Sequence, residues 1–541
     1  MRRGNASAPP RVSGRQGQRD ADAEAQLSRL GLVLAVLAVA ANGCVQPDEW
    51  FQSVEIAARD VFGAKIWTPW EFGGSAALGD AVHEPCRSVS FPAVAAHAPL
   101  FLLRLCGGSI AWPRLIMMIP RLWALVISIL VHDRLLGEVW RAAGLDDEGV
   151  RVARALRRTS WACLVLETRP FSNVYETFGL ARTRPAVDAR EDRRESASRS
   201  LAVSAQALCA RLAAEGRSAA LGAATAVVCW WRFDFAAFAA PLGLYCVASS
   251  SKSTAKAIAT GLATFAAGAG LLVLGDTLYF NSIDGSVVVA PVAPWRNFLF
   301  NASTENLRRF GLHPRWFHLV VNAPFLYGPL LLFLGGARKR SPFGKALDAS
   351  AVLGLAALSV APHQEPRFLL PTACAVFARA APRVARLKWK RKFYMFWLVF
   401  HLAVAGFYTT IHQAGLVPLL RRVGAARGAC DHVAFVGTYL PPYSVAGPRA
   451  GAELFLHDFE NDAAGLGRRV AALKRELDGG AYGRCASRRL YVAVAAPALP
   501  AARAAFPRLG AAVASFAPHF SGELPPASFS QLVLGLYEAR F

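Results

Sequence analysis

The sequence predicts an all-α polytopic membrane protein with a soluble C-terminal region, and three observations carry that prediction. First, 54% of the 541 residues are hydrophobic and only 18% are charged, against about 25% charged in an average soluble domain. A soluble chain has no use for so much apolar surface, and a disordered chain needs the opposite balance. Second, the hydrophobicity is gathered into long stretches, as helices crossing a bilayer require. Third, the net charge of +23 falls on alternate connections, the positive-inside signature of a chain that crosses repeatedly. A nucleic-acid role, the other meaning of such a charge, is excluded because no compact basic domain with interleaved aromatics occurs.

The elements follow in order. Residues 1–26 are polar and Arg-rich and precede an apolar run at 30–45. That run is too long, and too poor in a cleavage site, for a removed signal peptide; it reads as a signal anchor with a cytoplasmic N-terminus. Further apolar stretches lie near 114–135, 159–181, 217–231, 233–250, 255–275, 314–335, 346–362, 366–382 and 394–414. Counting 159–181 as two short helices around a polar break at Glu167 and Arg169 gives about eleven crossings, several below the ~20 residues of a simple span. Together they make a multi-span domain over 27–414. Its cytoplasmic connections are expected to hold Arg134, Arg141, Arg151, Arg154, Arg157 and Arg158, then Arg182 to Arg199, Lys252, Lys256, Arg338 to Lys345 and Arg386 to Lys392. The opposite side is expected to hold two long, sparsely basic loops, 46–113 and 276–313. Residues 415–541 are less apolar, with an amphipathic run near 465–477 and a strand-like run at 490–495; they read as a C-terminal region on the non-cytoplasmic side. The ten cysteines are scattered and include no CxxC pair, so neither a disulfide scaffold nor a zinc site is indicated; Cys430 and Cys485 are one pair that could join. The sequons at Asn5 and Asn301 offer a topology check, with Asn301 expected on the non-cytoplasmic face and Asn5 hidden from it.

The informative polar residues gather on that sparsely basic face. At 46–55 the chain reads QPDEWFQSVE, so Asp48 and Glu49 sit where a helix leaves the membrane, with Gln52 and Glu55 behind them. The bland reading is helix capping; the functional one is a general base at the membrane surface, since a carboxylate near apolar surface becomes more basic. At 168–177 the chain reads TRPFSNVYET, placing Arg169 and Glu176 in an apolar stretch, where charges default to function or to pairing with each other. Arg232 and Asp234 at a span junction suggest a surface ion pair. His313, Arg315 and His318 stand at the mouth of a span; the spacing of five between the histidines does not put both on one helix face, which argues against a metal pair. His363, Glu365 and Arg367 fall within five residues at a bend, a combination suited to a phosphate. A transporter with broken helices would place such groups near mid-span, in paired repeats; here they lie at one face and no repeat is evident.

Several of these segments resemble a known family. QPDEWFQSVE resembles the opening motif of endoplasmic-reticulum mannosyltransferases that use dolichyl-phosphate mannose. HQEPRF at 363–368 with Pro371 resembles that family's HKEPRF motif, 168–177 its TRTFSN segment, and TPWEF at 68–72 with Arg87 and Ser88 its first luminal loop. NL at 306–307 with HPRWFH at 313–318, HQAGLVP at 412–418 and TYLPP at 438–442 are similar to the members that add a fourth, α1,2-linked mannose to a trimannosyl glycosylphosphatidylinositol (GPI) precursor. Departures are Gln46 for the usual His, Pro170 for Thr, Phe310 for His and Gln364 for Lys.

The resemblance implies a GT-C glycosyltransferase fold in the endoplasmic reticulum membrane, with a luminal site under the first loop. It implies an inverting displacement with Asp48 as base and Glu49 as competitor or orienting partner. His363, Glu365, Arg367 and Arg169 are then expected at the donor phosphate. Gln52, Glu55, Arg87, Glu176, Arg232, His313, Arg315 and His318 are expected in acceptor or supporting roles. The expected partners are the two lipid substrates and the membrane; no cofactor or metal is expected. The sister enzymes that add a third GPI mannose or build the dolichol-linked glycan are the nearest alternatives, with an inactive scaffold of the same pathway a further one.

Overall fold

The computed structural model describes residues 14–73, 85–172, 177–179, 203–251, 253–284, 292–308, 310–335, 340–425, 430–447, 453–459, 465–482, 490–522 and 524–540. Glu176, Asn5 and Cys485, singled out above, lie outside them. Among the described residues, six helices are long and apolar enough to cross a membrane: Gly17–Ala40, Pro113–Ala142, Thr254–Ser282, Pro342–Val360, Pro366–Ala385 and Lys390–Thr410. Four shorter apolar helices accompany them, at Ser90–Leu105, Ser218–Trp231, Phe235–Ser249 and His318–Phe333. Apolar side chains such as Leu37, Leu271, Leu332 and Val399 are left exposed on these helices, as lipid-facing surface is. The chain is a multi-pass membrane protein.

In the stretch expected to be two helices around a polar break, the described residues form a short helix, Trp161–Leu164, and a tight turn, Leu166–Thr168, after which Arg169 is extended; residues 173–176 and 180–181 of it lie outside the described residues. The basic connection before it is not a solvated loop. It is a helix, Asp147–Thr159, whose N-terminus is capped by the Asp146 side chain accepting from the Gly149 N–H at 2.8 Å. Arg157 on this helix is buried and donates to Asp133 at 2.9 Å and to Glu167. Arg157 and Arg158, two of the arginines expected from the sequence on the cytoplasmic side, both pair with Asp133 and tie these helices together.

The first long loop has structure of its own. A wide helical turn, Trp50–Val54, runs directly into the helix Glu55–Phe62, which Gly63 ends in the left-handed conformation at φ 67°. The apolar helix Ser90–Leu105 follows, inside what the sequence suggests is a single loop.

After the last span, a short helix, Leu416–Gly424, leads into an α/β unit. Its strands are β1 (Cys430–Val436), β2 (Glu453–Asp458), β3 (Leu490–Ala495), β4 (Leu509–Phe516) and β5 (Leu534–Ala539), in spatial order β2-β1-β3-β5-β4. The first three run parallel and the last two antiparallel to their neighbours. A parallel return needs a crossover, and between β2 and β3 the helix Leu466–Asp478 supplies it, burying Leu466, Val470, Leu473 and Leu477 at helical spacing. The strand-like and amphipathic runs read from the sequence lie here.

This unit is fixed to the first loop. Trp50, Phe51 and Val54 share one apolar core with Leu416, Leu420, Val433, Phe435 and Leu536. Glu55, fully buried, accepts the backbone N–H groups of Tyr443 at 3.1 Å and Ser444 at 2.9 Å. That carboxylate is a clamp between elements and does not line the cavity described next.

Candidate active site

A cavity of about 2050 Å³ lies where the first loop, the mouths of the helices and the α/β unit meet. One wall starts at Pro47, whose carbonyl accepts the N–H groups of Trp50 and Phe51 at 2.9 and 3.1 Å. The helical turn that follows puts Asp48 and Gln52 on one side, as a spacing of four does, and Gln52 Nε2 donates to Asp48 Oδ2 at 2.8 Å. Glu49 is on the other side. The side chain of Asp48 is 31% exposed and lines the cavity, while that of Glu49 is 1% exposed and does not.

Glu49 lies in an ion cluster. Its Oε1 accepts from Arg121 Nε at 2.6 Å and pairs with Arg169 Nε at 3.2 Å. Both guanidiniums also cap carbonyls at the end of the first helix and just beyond it: Arg169 donates to Ala38 at 3.0 Å, Arg121 to Ala41 at 2.6 Å. Arg169 therefore pairs with Glu49 and sits off the cavity; Glu176, the partner suggested by the sequence, lies outside the described residues. Arg121 escaped the sequence reading, although a lone arginine inside an apolar helix is a signal for such a buried partner.

The HQEPRF segment faces Asp48. Arg367 donates from Nη2 to Asp48 Oδ2 at 2.6 Å and from Nε to Glu365 Oε2 at 2.6 Å. Its guanidinium lies 5.2 Å from the Phe171 ring and 5.5 Å from that of Phe368. His363 bonds the Gly311 carbonyl through Nδ1 at 3.0 Å and Glu365 Oε1 through Nε2 at 2.8 Å. Burial would raise the Glu365 carboxyl, but the Arg367 guanidinium and the His363 ring outweigh it and hold it at about 2. The His363 ring is in turn held above its usual range, against its burial, by Glu365. Glu365 is thus shared by Arg367 and His363, and its position fixes both.

A further carboxylate lines the cavity. Glu71, at 9% exposure, accepts from Arg87 Nε at 2.7 Å. Arg87 Nη1 reaches Ser172 Oγ at 3.4 Å, and Ser172 donates to Gln52 Oε1 at 3.1 Å. A continuous chain of polar contacts thus connects Glu71 to Asp48. Burial, together with the Asp48 charge, raises the Glu71 carboxyl despite Arg87. Glu71 and Ser172 are within motifs read from the sequence but received no role there.

Arg232 and Asp234 form the expected pair, at 3.0 and 2.9 Å, but on the cavity wall rather than the surface, with the guanidinium 4.9 Å from the Phe368 ring. His313 also lines the cavity, stacked on Phe317 at 4.3 Å, and accepts the Gln364 N–H at 3.3 Å. Arg315, at the exposed rim, bonds the Val360 carbonyl. His318 is buried behind the wall, its ring 3.0 Å from the Asn322 amide and its backbone N–H on Gln364 Oε1 at 2.8 Å. Among the described residues no group of three potential metal ligands occurs.

Residues 29–432 match the model of the Alg9-like mannosyltransferase family. GPI mannosyltransferase 4 of Candida albicans is 28% identical over 453 residues, covering 80% of this chain and 82% of that protein. GPI alpha-1,2-mannosyltransferase 4 of Homo sapiens is 29% identical over 463 residues, covering 74% and 72%. Among solved structures, the crystal structure of ArnT from Cupriavidus metallidurans bound to undecaprenyl phosphate superposes with a TM-score of 0.54 at 9% identity, covering 95% of this chain and 97% of that one. That likeness shows the fold, which is GT-C.

Proposed function

The chain belongs to the Alg9-like mannosyltransferase family, and from that premise we propose that it transfers mannose from dolichyl-phosphate mannose to a GPI precursor, adding the fourth, α1,2-linked residue to a trimannosyl acceptor. It is a glycosyltransferase; donor, acceptor position, endoplasmic-reticulum location and luminal orientation are the proposed parts. The relatives named above support the acceptor. One observation supports the chemistry above all: of two adjacent carboxylates only Asp48 faces the cavity, and its Oδ2 is held by Gln52 and Arg367.

In this reading the two donors on Oδ2 leave Oδ1 for the acceptor. Oδ1 takes the proton of the mannose hydroxyl as that oxygen attacks the donor's anomeric carbon. The bond from that carbon to the phosphate oxygen breaks in the same displacement, inverting the configuration, and dolichyl phosphate leaves with the electron pair. General-base catalysis of this kind contributes about 10²–10⁴-fold. The departing charge needs fixed cations. Arg367 keeps Nη1 without a hydrogen-bond partner among the described residues, and His363 and Arg232 stand beside it on the same wall. Glu365 orients these groups and takes no proton. Arg169 is assigned to holding Glu49, and Glu49 to shaping the turn that carries Asp48.

The reading is tested by giving microsomes that contain the protein defined dimannosyl and trimannosyl GPI acceptors with dolichyl-phosphate mannose. Transfer to the trimannosyl acceptor in strong preference to the dimannosyl one, with product sensitive to an α1,2-mannosidase, is expected. Preference for the dimannosyl acceptor would make it a third-mannose enzyme, and transfer only to a dolichol-linked glycan would remove it from GPI synthesis.

A further inference from the structure

The cavity exceeds what one sugar phosphate needs. Sites for small molecules occupy about 300–1,000 Å³, and this one encloses about 2050 Å³. Part of the extra wall comes from a unit with no step in the displacement. Tyr439, Leu440, Asp458 and Arg469 of the C-terminal α/β unit line the same cavity as Asp48. They come from the turn after β1, the end of β2 and the first turn of the helix Leu466–Asp478.

These pieces are held together and held to the catalytic segment. Arg469 Nη1 reaches the Asp458 carbonyl at 3.4 Å, and the Tyr439 N–H reaches Gln413 Oε1 at 3.4 Å. The Glu55 clamp on Tyr443 and Ser444 lies seven residues after Asp48 in the same helical run. Lys65 sits 3.8 Å above the Phe455 ring of β2. From there residues 66–71 line the cavity as far as Trp70, stacked on Phe300 at 4.2 Å. The α/β unit and the base are therefore two walls of one cavity.

The residue types suit a glycan. Tyrosine and tryptophan rings offer an apolar face with a polar tip. A guanidinium offers a fork of donors and a carboxylate two acceptors, matching neighbouring sugar hydroxyls. We propose that Tyr439, Asp458 and Arg469, with Trp67, whose ring lies 5.8 Å from that of Tyr443, form an acceptor-glycan subsite. It holds the sugar rings behind the mannose whose hydroxyl faces Asp48, so the C-terminal unit reads the length of the acceptor oligosaccharide. The inference rests on the mannosyl-transfer reading above and adds the part of the substrate that reading leaves unplaced.

A subsite of this kind binds the acceptor equally before and during the displacement. Its loss raises the acceptor KM and leaves kcat in place. The test uses the full-length protein in microsomes with dolichyl-phosphate mannose and two acceptors, the trimannosyl GPI precursor and a lipid-linked single α-mannoside. In Arg469→Ala and Tyr439→Ala, the KM for the trimannosyl acceptor is expected to rise about tenfold, which corresponds to about 1.4 kcal/mol of binding. The kcat, the donor KM and the KM for the single mannoside are expected to stay at wild-type values. Arg469→Lys, which keeps the charge and the packing, is expected to lie between wild type and Arg469→Ala. An unchanged trimannosyl KM in all three variants, or equal losses on both acceptors and the donor, overturns the subsite. Wild-type protein that transfers nothing to the trimannosyl acceptor overturns the underlying reading and the subsite with it, and that arm needs no variant.

Discussion

Asp48 and Glu49 are neighbours with opposite surroundings, and the difference decides which of them meets substrate. Glu49 neutralises two guanidiniums away from water, through Arg121 and Arg169. Removing one partner of a buried ion pair costs about 3–5 kcal/mol, so Glu49→Gln is expected to lower the melting temperature in detergent and the yield of folded protein. Asp48→Asn, whose side chain borders open space, is expected to melt like wild type. A Glu49→Gln protein that melts normally yet transfers no mannose would move the base to Glu49. The sequence displays Asp48, Glu365 and Arg367 because each lies in a short contiguous motif. It does not display their pairing, since Asp48 and Arg367 are 319 residues apart. It also hides the role of Arg121, whose partner is 72 residues away. Nothing in the spacing of Glu71 and Arg87 announces that their chain of contacts ends on Gln52.

At the scale of elements, the run from Trp50 to Phe62 carries the base-bearing turn at one end and the clamp on the α/β unit behind it. Burial raises the Glu55 carboxyl to about 7, against the lowering effect of the Ser444 and Tyr443 contacts. In an unfolded chain a glutamate titrates near about 4.3. A folded value above the unfolded one gives stability that is fully present below the unfolded value and is lost as pH rises through the folded one. The melting temperature is therefore expected to fall between about pH 4.3 and about pH 7 from this group, and Glu55→Gln is expected to flatten that part of the profile. An unaltered slope in Glu55→Gln would show that the clamp does not titrate in this range. The long spans were legible because lipid imposes length and apolarity on them. The helix Ser90–Leu105 was not, because it falls inside a segment whose polar motifs mark it as loop. The α/β sheet was visible only as the β3 run and the amphipathic helix, since its order comes from pairings between distant strands.

For the whole molecule, the GT-C architecture was legible from the motifs and the charge asymmetry, whereas the size of the cavity and the share of the C-terminal unit in it depend on contacts no motif records. Orientation across the membrane has a direct probe. The sequon at Asn301 serves poorly, because its amide donates to the Asn297 carbonyl at 2.8 Å on the cavity wall, where a glycan would compete with substrate. Cys106, an exposed free thiol beyond the helix Ser90–Leu105, serves better. In sealed microsomes a membrane-impermeant maleimide is expected to label it only after permeabilisation, with the signal lost in Cys106→Ser; labelling of intact vesicles would invert the proposed orientation. Whether Asp48 is the base for mannosyl transfer to a GPI acceptor is decided by product formation from dolichyl-phosphate mannose and trimannosyl GPI at matched levels of wild type and Asp48→Asn. The predicted result is product from wild type and a loss of about 10²–10⁴-fold in the variant, whereas product at the wild-type rate from Asp48→Asn would contradict it.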